Sequence, residues 1–432
     1  MAGRIALSRP LDAEASSPRG SAPLASSLVA LSFVLPLTVA PGLERPFSEP
    51  KLALLAAAVA AGVAAVPCRL LRRPALPPAL LASLCAWLVT LGLSAWRGTA
   101  LAPGALLLPV AGAGWLLLVV SARPGAGHLG RALALSGTAV AAVALAQLAG
   151  SDPFALLGWT AEGARGRMRV FATLGNPDFV AAFLCATLPL AWAAPGLLPR
   201  PLRAASTLLQ AGAVLATGSR AAILGLGAAA IWLILVARPR PAVETPDLRS
   251  RRSRTALARL TPAALVAAVV VPLLALSPAR GLEVTVRGRV YVWRVVAPHL
   301  SERPLLGFGP GAFEGRFAEW EAAFWRDGRG GEADRAFAGP LDHAHDDYLE
   351  MLVERGAAGL IALLALIGTS LSQAIRLARP SPGNLSAAAA AGVVALLAVA
   401  LVDFPLARPD GTFALFTLMA VSGLAVRERE AR

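Results

Sequence analysis

Charged residues are scarce in this chain: Asp, Glu, Lys and Arg make up 15% of its 432 residues, whereas 56% are hydrophobic. Together with a mean hydropathy of +0.64, this scarcity excludes an ordinary soluble domain. Apolar runs recur that are long enough to cross a bilayer, which takes about 20 helical residues. The composition therefore predicts an all-α, polytopic membrane protein.

Cysteine is also rare, and the three residues present, Cys68, Cys85 and Cys185, are odd in number. They fall in or beside apolar segments, so we interpret them as packing residues and not as a disulfide framework. The first apolar run lacks a convincing small-residue cleavage site, and many further runs follow it. We therefore expect an uncleaved first helix and not a secretory signal.

The apolar runs predict about twelve transmembrane helices. We place them near residues 27–44, 51–67, 76–96, 101–121, 131–149, 178–194, 203–218, 221–237, 260–277, 356–375, 385–403 and 411–426. This divides the chain into residues 1–277 with helices 1 to 9, a long loop at 278–347 with an interfacial helix, and residues 348–432 with helices 10 to 12.

Arginines cluster after the even-numbered helices, most densely over residues 238–259. Since positive residues accumulate in short cytoplasmic loops, both termini are expected in the cytoplasm. The net charge of +14 then reflects topology and attraction to anionic membrane lipids, and we expect no nucleic-acid partner.

Three polar elements fall on the face opposite the basic loops: a loop near 150–177, the turn 217–220 and the long loop near 278–347. Because successive helices cross the membrane in alternate directions, we infer that these three elements meet on one side of it.

The first of these loops ends at Asn176 and Pro177, where a helix is predicted to begin. One interpretation is structural, because Asn is favoured as a helix N-cap and Pro at the first helical position. The other is that the helix N-terminus, with Arg165, Arg167 and Arg169 nearby, attracts an anion. Both interpretations are compatible.

Arg220 lies at the break between two apolar runs, and Arg289 lies in an amphipathic segment of the long loop. In that segment Val286, Val290 and Trp293 recur at helical spacing, which predicts a helix along the membrane surface with its apolar stripe inward. Arg289 would lie beside the stripe. The alternatives are an arginine that snorkels to the interface and an ordinary surface helix.

A glycine and proline run, residues 303–311, follows this segment. It is not a dinucleotide-binding fingerprint, because the third glycine of that pattern would fall on Ala312. We predict a structural turn that returns the loop to the membrane.

His343 and His345 stand just before a long apolar segment. Their H-x-H spacing is weak evidence for a metal, and we expect none. A histidine that accepts a proton near neutral pH is better supported. Asp346 and Asp347 would orient it, or favour the start of the following helix.

Over about residues 170–365, the order of these features resembles the bacterial O-antigen ligase and O-antigen polymerase family. The resemblance is carried by Gly175-Asn176-Pro177-Asp178-Phe179, Thr217-Gly218-Ser219-Arg220, Arg289 to Trp293, Pro304 to Phe313, and His343 to Leu349 followed by Glu354 to Gly359. Each motif is weak alone, but five in sequence are fairly specific.

The resemblance implies a glycosyltransferase of the bacterial inner membrane, with an active site on the periplasmic face and no metal or other cofactor. Its donor would be a glycan on undecaprenyl diphosphate, and its acceptor a glycolipid, a glycan or a protein. Arg220 and Arg289 match the family's diphosphate-binding arginines, and His345 matches the histidine that activates the acceptor hydroxyl.

Further substrate contacts are expected from Arg169, Asn176, Arg287, Arg294, His343, Asp346 and Tyr348. Asp346 departs from the family, which usually has Asn, Ser or Gln there. The added carboxylate would strengthen the base at His345 or repel an anionic donor.

Other functions stay open. Within the family these are O-antigen polymerase and protein O-oligosaccharyltransferase. Two come from other classes. One is a transporter or flippase for the lipid-linked glycan, which would carry charges near the bilayer midplane and repeated halves. The other is a membrane scaffold or sensor.

Overall fold

The computed structural model describes residues 22–65, 76–98, 103–156, 158, 170–194, 196–236, 267, 269, 271, 279–378 and 384–430. Within these residues the chain forms helices and connecting turns, and no strand occurs among them. The prediction of an all-α fold is thereby confirmed.

Thirteen helices of more than ten residues occur in the described part of the chain. They are α1 (Ala22–Val34), α2 (Glu49–Ala65), α3 (Pro78–Arg97), α4 (Pro103–Ala122), α5 (Ala126–Leu148), α6 (Pro177–Ala193), α7 (Arg200–Thr217), α8 (Ala221–Val236), α9 (Ala279–Val296), α10 (Ala312–Arg326), α11 (Asp347–Ala378), α12 (Leu385–Val399) and α13 (Pro409–Glu430).

Eleven of the twelve predicted membrane helices overlap helices of the structure. The remaining one, 260–277, lies almost entirely outside the described residues. Among the described residues, five helices are long and apolar enough to cross a membrane, and four shorter ones are apolar as well. A count of about twelve crossings therefore stays a prediction.

Small residues let the central helix α12 pack closely against its neighbours. Ala387 to Ala391 are all buried, and a Cβ on Gly392 would collide with the carbonyl oxygen of Ala186 in α6. Such close approach of helix backbones is how membrane helices gain packing energy where lipid supplies no hydrophobic drive.

One buried cation joins α2 to the segment before it and to the segment before α6. Lys51 is 0% exposed, and its Nζ donates to the carbonyl oxygens of Thr38 at 2.8 Å, Phe47 at 2.6 Å and Thr173 at 2.8 Å. Because a buried ammonium is costly without partners, these bonds hold the segment that leads into α6.

The long helix α11 is broken at Gly356, whose backbone (φ 63°, ψ −169°) is not helical. The glycine and proline run docks into this break. Phe308 N donates to Val353 O at 2.8 Å, and Ala357 N donates to Pro304 O at 2.8 Å. The run thus supplies hydrogen-bond partners to backbone groups that a broken helix would leave unpaired.

We expect Gly356→Ala to destabilise the protein by about 2–4 kcal/mol, because the left-handed φ strains an L residue and its Cβ would meet the backbone of Leu305 and Leu306. Thermal unfolding in detergent measures this. Gly368→Ala is the matched control in the same helix, since no atom lies near its Cβ position; it is expected to stabilise by up to about 1 kcal/mol. Equal effects of the two substitutions would contradict the account of the break.

Residues 279–346, which include α9 and α10, form a small helical layer with its own aromatic core. Buried Phe313, Phe317 and Trp320 of α10 pack in one cluster with Tyr291 and Val295 of α9.

The apolar stripe predicted for α9 is a different face of the same helix. Val286 is 49% exposed, Val290 41% and Trp293 37%. The helix therefore has one apolar face against α10 and a second that remains accessible.

Candidate active site

The site is built around His345 and Asp403. His345 Nδ1 lies 3.7 Å from Asp403 Oδ1, and the side chain of His345 is 42% exposed while that of Asp403 is 6% exposed. His345 comes directly before α11, whereas Asp403 lies in the turn between α12 and α13. An accessible imidazole is thus backed by a buried carboxylate from a distant part of the chain.

The backbone at His345 adopts a left-handed conformation, φ 53°. For a residue other than glycine this costs of the order of 1 kcal/mol and persists only where neighbours enforce it. Here Ala344 N donates to Glu350 Oε2 at 2.9 Å and Asp347 N donates to Ala400 O at 3.0 Å. These bonds fix the backbone on both sides of His345.

His343 is engaged differently from His345. Its Nδ1 is 2.9 Å from Glu350 Oε1, and its ring stacks on Phe404 at a centroid distance of 4.2 Å. Burial by itself lowers the pKa of His343, but the hydrogen bond with Glu350 and the charges of Glu350 and Asp342 outweigh it, so the net pKa shift is upward. The hydrogen bond to Glu350 and the stacking on Phe404 therefore give His343 a structural role.

The carboxylates of the two acids that follow His345 accept hydrogen bonds from backbone N–H groups. Asp346 Oδ1 accepts from Tyr348 N at 2.9 Å and Leu349 N at 3.1 Å, and Asp347 Oδ2 accepts from Leu406 N at 2.8 Å. Burial raises the pKa of Asp346 despite these bonds. The carboxylate nearest the imidazole of His345 is instead that of Asp403.

Sequence reasoning missed Asp403. Asp403 could have been recognised by the scarcity of acids around it, because Asp403 and Asp410 are the only acidic residues between Gly356 and Arg427. A lone acid at the end of an apolar run is a candidate for function in a membrane protein.

We expect Asp346→Ala to cost about 1 kcal/mol of stability through loss of the cap on α11, and Asp346→Asn to retain most of it because the amide oxygen accepts the same bonds. Thermal unfolding of the two variants measures this. Equal losses in both would contradict the capping role.

Arg289 of α9 joins this cluster electrostatically. Burial lowers the pKa of its guanidinium, and the carboxylates of Asp403, Asp178 and Asp346 oppose that shift. The acids come from three different segments, so Arg289 stands where α6, the start of α11 and the end of α12 meet. The charge of Arg289 therefore interacts with the carboxylate of Asp403, which lies next to His345.

Arg220 occupies the turn between α7 and α8. The next residue, Ala221, is buried in a cluster with Ala182 and Val399, against which Val402 packs. Val402 directly precedes Asp403, so Arg220 belongs to the same end of the helix bundle.

The other predicted site residues have structural partners or lie elsewhere. Asn176 Oδ1 accepts from Asp178 N at 2.8 Å and caps α6. Tyr348 donates its hydroxyl to Leu397 O at 2.8 Å. Arg169 lies outside the described residues.

Two further arginines of α9 form ion pairs away from His345. Arg287 pairs with Glu283 at 2.9 Å on the exposed surface. Arg294 donates to both carboxylate oxygens of Asp334 at 3.1 Å and ties α9 to the rest of the helical layer.

A cavity of about 980 Å³ opens beside the histidines. His343, His345 and Glu350 form part of its wall, and Arg220 and Arg289 do not line it. Among the described residues, no three His, Cys, Asp or Glu side chains are arranged to hold one metal ion.

Comparison with protein families matches residues 205–364 to the O-antigen ligase model. The resemblance predicted from the sequence motifs is thereby confirmed. The matched segment contains Arg220, Arg289 and His345 and ends before Asp403. No curated protein matches the chain.

Proposed function

We propose that this chain transfers a glycan from an undecaprenyl-diphosphate carrier to an acceptor hydroxyl, as an O-antigen ligase does, on the periplasmic face of the bacterial inner membrane. The observation that carries the proposal is the accessible His345, which lies beside a large cavity and 3.7 Å from buried Asp403, whose carboxylate interacts with the charge of Arg289.

His345 acts as the general base. With Nδ1 turned to Asp403, the other ring nitrogen is left to accept the proton of the acceptor hydroxyl. The acceptor oxygen then bonds to the anomeric carbon, and the bond from that carbon to the diphosphate oxygen breaks with its electron pair. A base placed in this way contributes about 10² to 10⁴ in rate.

Arg220 and Arg289 hold the leaving diphosphate. Negative charge grows on its bridging oxygen as the bond breaks, and guanidinium groups pair with phosphate oxygens in a bidentate manner. Loss of one such donor costs about 10² to 10³ in rate at comparable sites. Positive charge from two separate elements therefore favours the transition state over the bound donor.

Asp403 is a positioning residue: its carboxylate, 3.7 Å from His345 Nδ1, favours the ring direction with Nδ1 turned to the acid and stabilises the imidazolium that forms. We expect Asp403→Asn to lower kcat by about 10- to 10³-fold while the KM for the donor changes little. Asp403→Glu is expected to recover part of the rate. A variant that loses donor affinity instead would assign Asp403 to donor binding.

O-antigen polymerase and protein O-oligosaccharyltransferase remain alternative activities of the same site. They share its donor chemistry and differ in the acceptor. Glycolipids and glycoproteins of a deletion strain, compared by mass spectrometry, separate the three, since each leaves a different unmodified species.

A flippase for the same donor is the rival from another class. It would place its charged groups near the bilayer midplane, whereas His345 and Asp403 lie in segments that connect helices and Arg289 lies within the amphipathic helix α9. Purified protein in liposomes tests the proposal: we expect a glycosylated acceptor without movement of donor between leaflets. Donor translocation without product would reject it.

A further inference from the structure

The cavity beside His345 has two chemically different parts. Its mouth carries exposed charged residues of the 44–49 segment, α10 and the loop before His343. Its floor is formed by buried Trp87, Leu91, Leu108 and Phe416 from α3, α4 and α13. A polar mouth over an apolar floor suits an amphiphile, with its glycan at the mouth and its hydrophobic anchor inside.

His345 lines this cavity, and the arginines proposed to bind the diphosphate do not. The imidazole is on the cavity wall, whereas neither Arg220 nor Arg289 lines it. A hydroxyl in the cavity and a diphosphate at the arginines would then lie on different sides of a donor sugar bound between them, as displacement at the anomeric carbon requires.

The mouth is negatively charged. Glu44, Glu49, Glu314 and Asp342 line it with one guanidinium, that of Arg45, which gives four negative charges against one positive. Arg45 is already paired, with Glu314 at 3.1 Å and Asp342 at 3.8 Å. Among the residues that the structure describes, no unpaired positive charge lines the mouth.

Deeper in the cavity, terminal guanidinium nitrogens of Arg408 and Arg355 also have protein partners, whereas the buried Nε of each has none. Arg408 binds Asp410 at 3.3 Å and the carbonyl of Leu174 at 3.1 Å. Arg355 donates to the carbonyl of Trp87 and, at 3.0 Å, to Thr90. Carboxylates accept hydrogen bonds from sugar hydroxyls but repel phosphate.

We propose that this cavity is the acceptor site and that it selects an uncharged, hydroxyl-rich glycan on an apolar anchor, with no phosphate next to the reacting hydroxyl. The proposal rests on the proposed function and names the acceptor class of that site. At physiological salt, three uncompensated charges at the mouth disfavour a phosphate by about tenfold in affinity.

The test uses the purified full chain in nanodiscs and two probes: a photoreactive dodecyl glucoside, and the same glucoside bearing a 6-phosphate. Labelled peptides are identified by mass spectrometry, with excess unlabelled glucoside as competitor. We expect saturable labelling of cavity residues by the uncharged probe at about tenfold lower concentration than by the phosphorylated one.

The double variant Glu314→Gln/Asp342→Asn is expected to narrow that difference to about threefold or less, because it removes two charges and frees Arg45. Glu319→Gln is the matched control: Glu319 is also on α10, 72% exposed, and outside the cavity lining. It should leave the tenfold difference in place.

Equal or better labelling by the phosphorylated probe, or labelling outside the cavity alone, overturns the proposal. Arg289→Ala should keep the labelling while transfer is lost; loss of both would overturn the separation of the two sites. Each of these results leaves the glycan-transfer assay of the wild-type chain as an independent measure of the proposed function.

Discussion

Replacing His345 with alanine is expected to lower the rate of glycan transfer by about 10² to 10⁴-fold, which is the contribution of a general base placed at the acceptor hydroxyl. The fold should survive, since the side chain is 42% exposed and its nearest polar partner is 3.7 Å away. The measurement is transfer by purified protein in liposomes, with mass spectrometry of the glycosylated acceptor.

His128→Gln is the control for this experiment. His128 is an exposed residue at the start of α5, at the opposite end of that helix from the site, so its replacement should leave transfer unchanged. Transfer by His345→Ala at the wild-type rate would remove the histidine from the mechanism.

Arg289→Ala is the second large effect, with an expected loss of about 10² to 10³ in rate. Arg289→Lys keeps the charge but not the planar, bidentate donor pair, so we expect it to recover only part of the loss. Both variants are compared at saturating and at limiting donor, which separates lost donor binding from lost stabilisation of the leaving group.

Arg326→Ala serves as the matched arginine control, because Arg326 is exposed at the last turn of α10. An Arg289→Ala protein that folds and transfers glycan like Arg326→Ala would contradict the assignment of Arg289 to the diphosphate.

Helix positions were predictable from the sequence because a membrane segment is specified by composition over about 20 residues, a property that needs no partner. The cap at Asn176 was also predictable, since it depends on residues adjacent in sequence. The number of crossings was not settled in this way, because several helices are shorter than a bilayer span.

The chemistry of the site depends on contacts between distant segments, and there the sequence was less informative. Asp346 is next to His345 in the chain, but its carboxylate turns to the start of α11. Asp403, which lies 58 positions after His345 in the chain, is the acid that approaches the imidazole. The packing of α12 against the other helices brings it there, and spacing along the chain does not encode that packing.

The break in α11 at Gly356 likewise depends on a contact between segments that are distant in the sequence. The sequence predicts a turn at the glycine and proline run of residues 303–311, and it separately shows Gly356 in an apolar segment. The glycine and proline run docks into the break at Gly356 because a broken helix leaves backbone groups that need hydrogen-bond partners.

The most direct test of the account is the stoichiometry of the reaction catalysed by the purified chain. Undecaprenyl diphosphate released and glycosylated acceptor formed are measured in the same samples for the wild type, His345→Ala and Arg289→Ala. The account predicts one carrier released per glycan transferred, with both rates reduced together in each variant. Release of carrier without product, or variants that match the wild type, would contradict it.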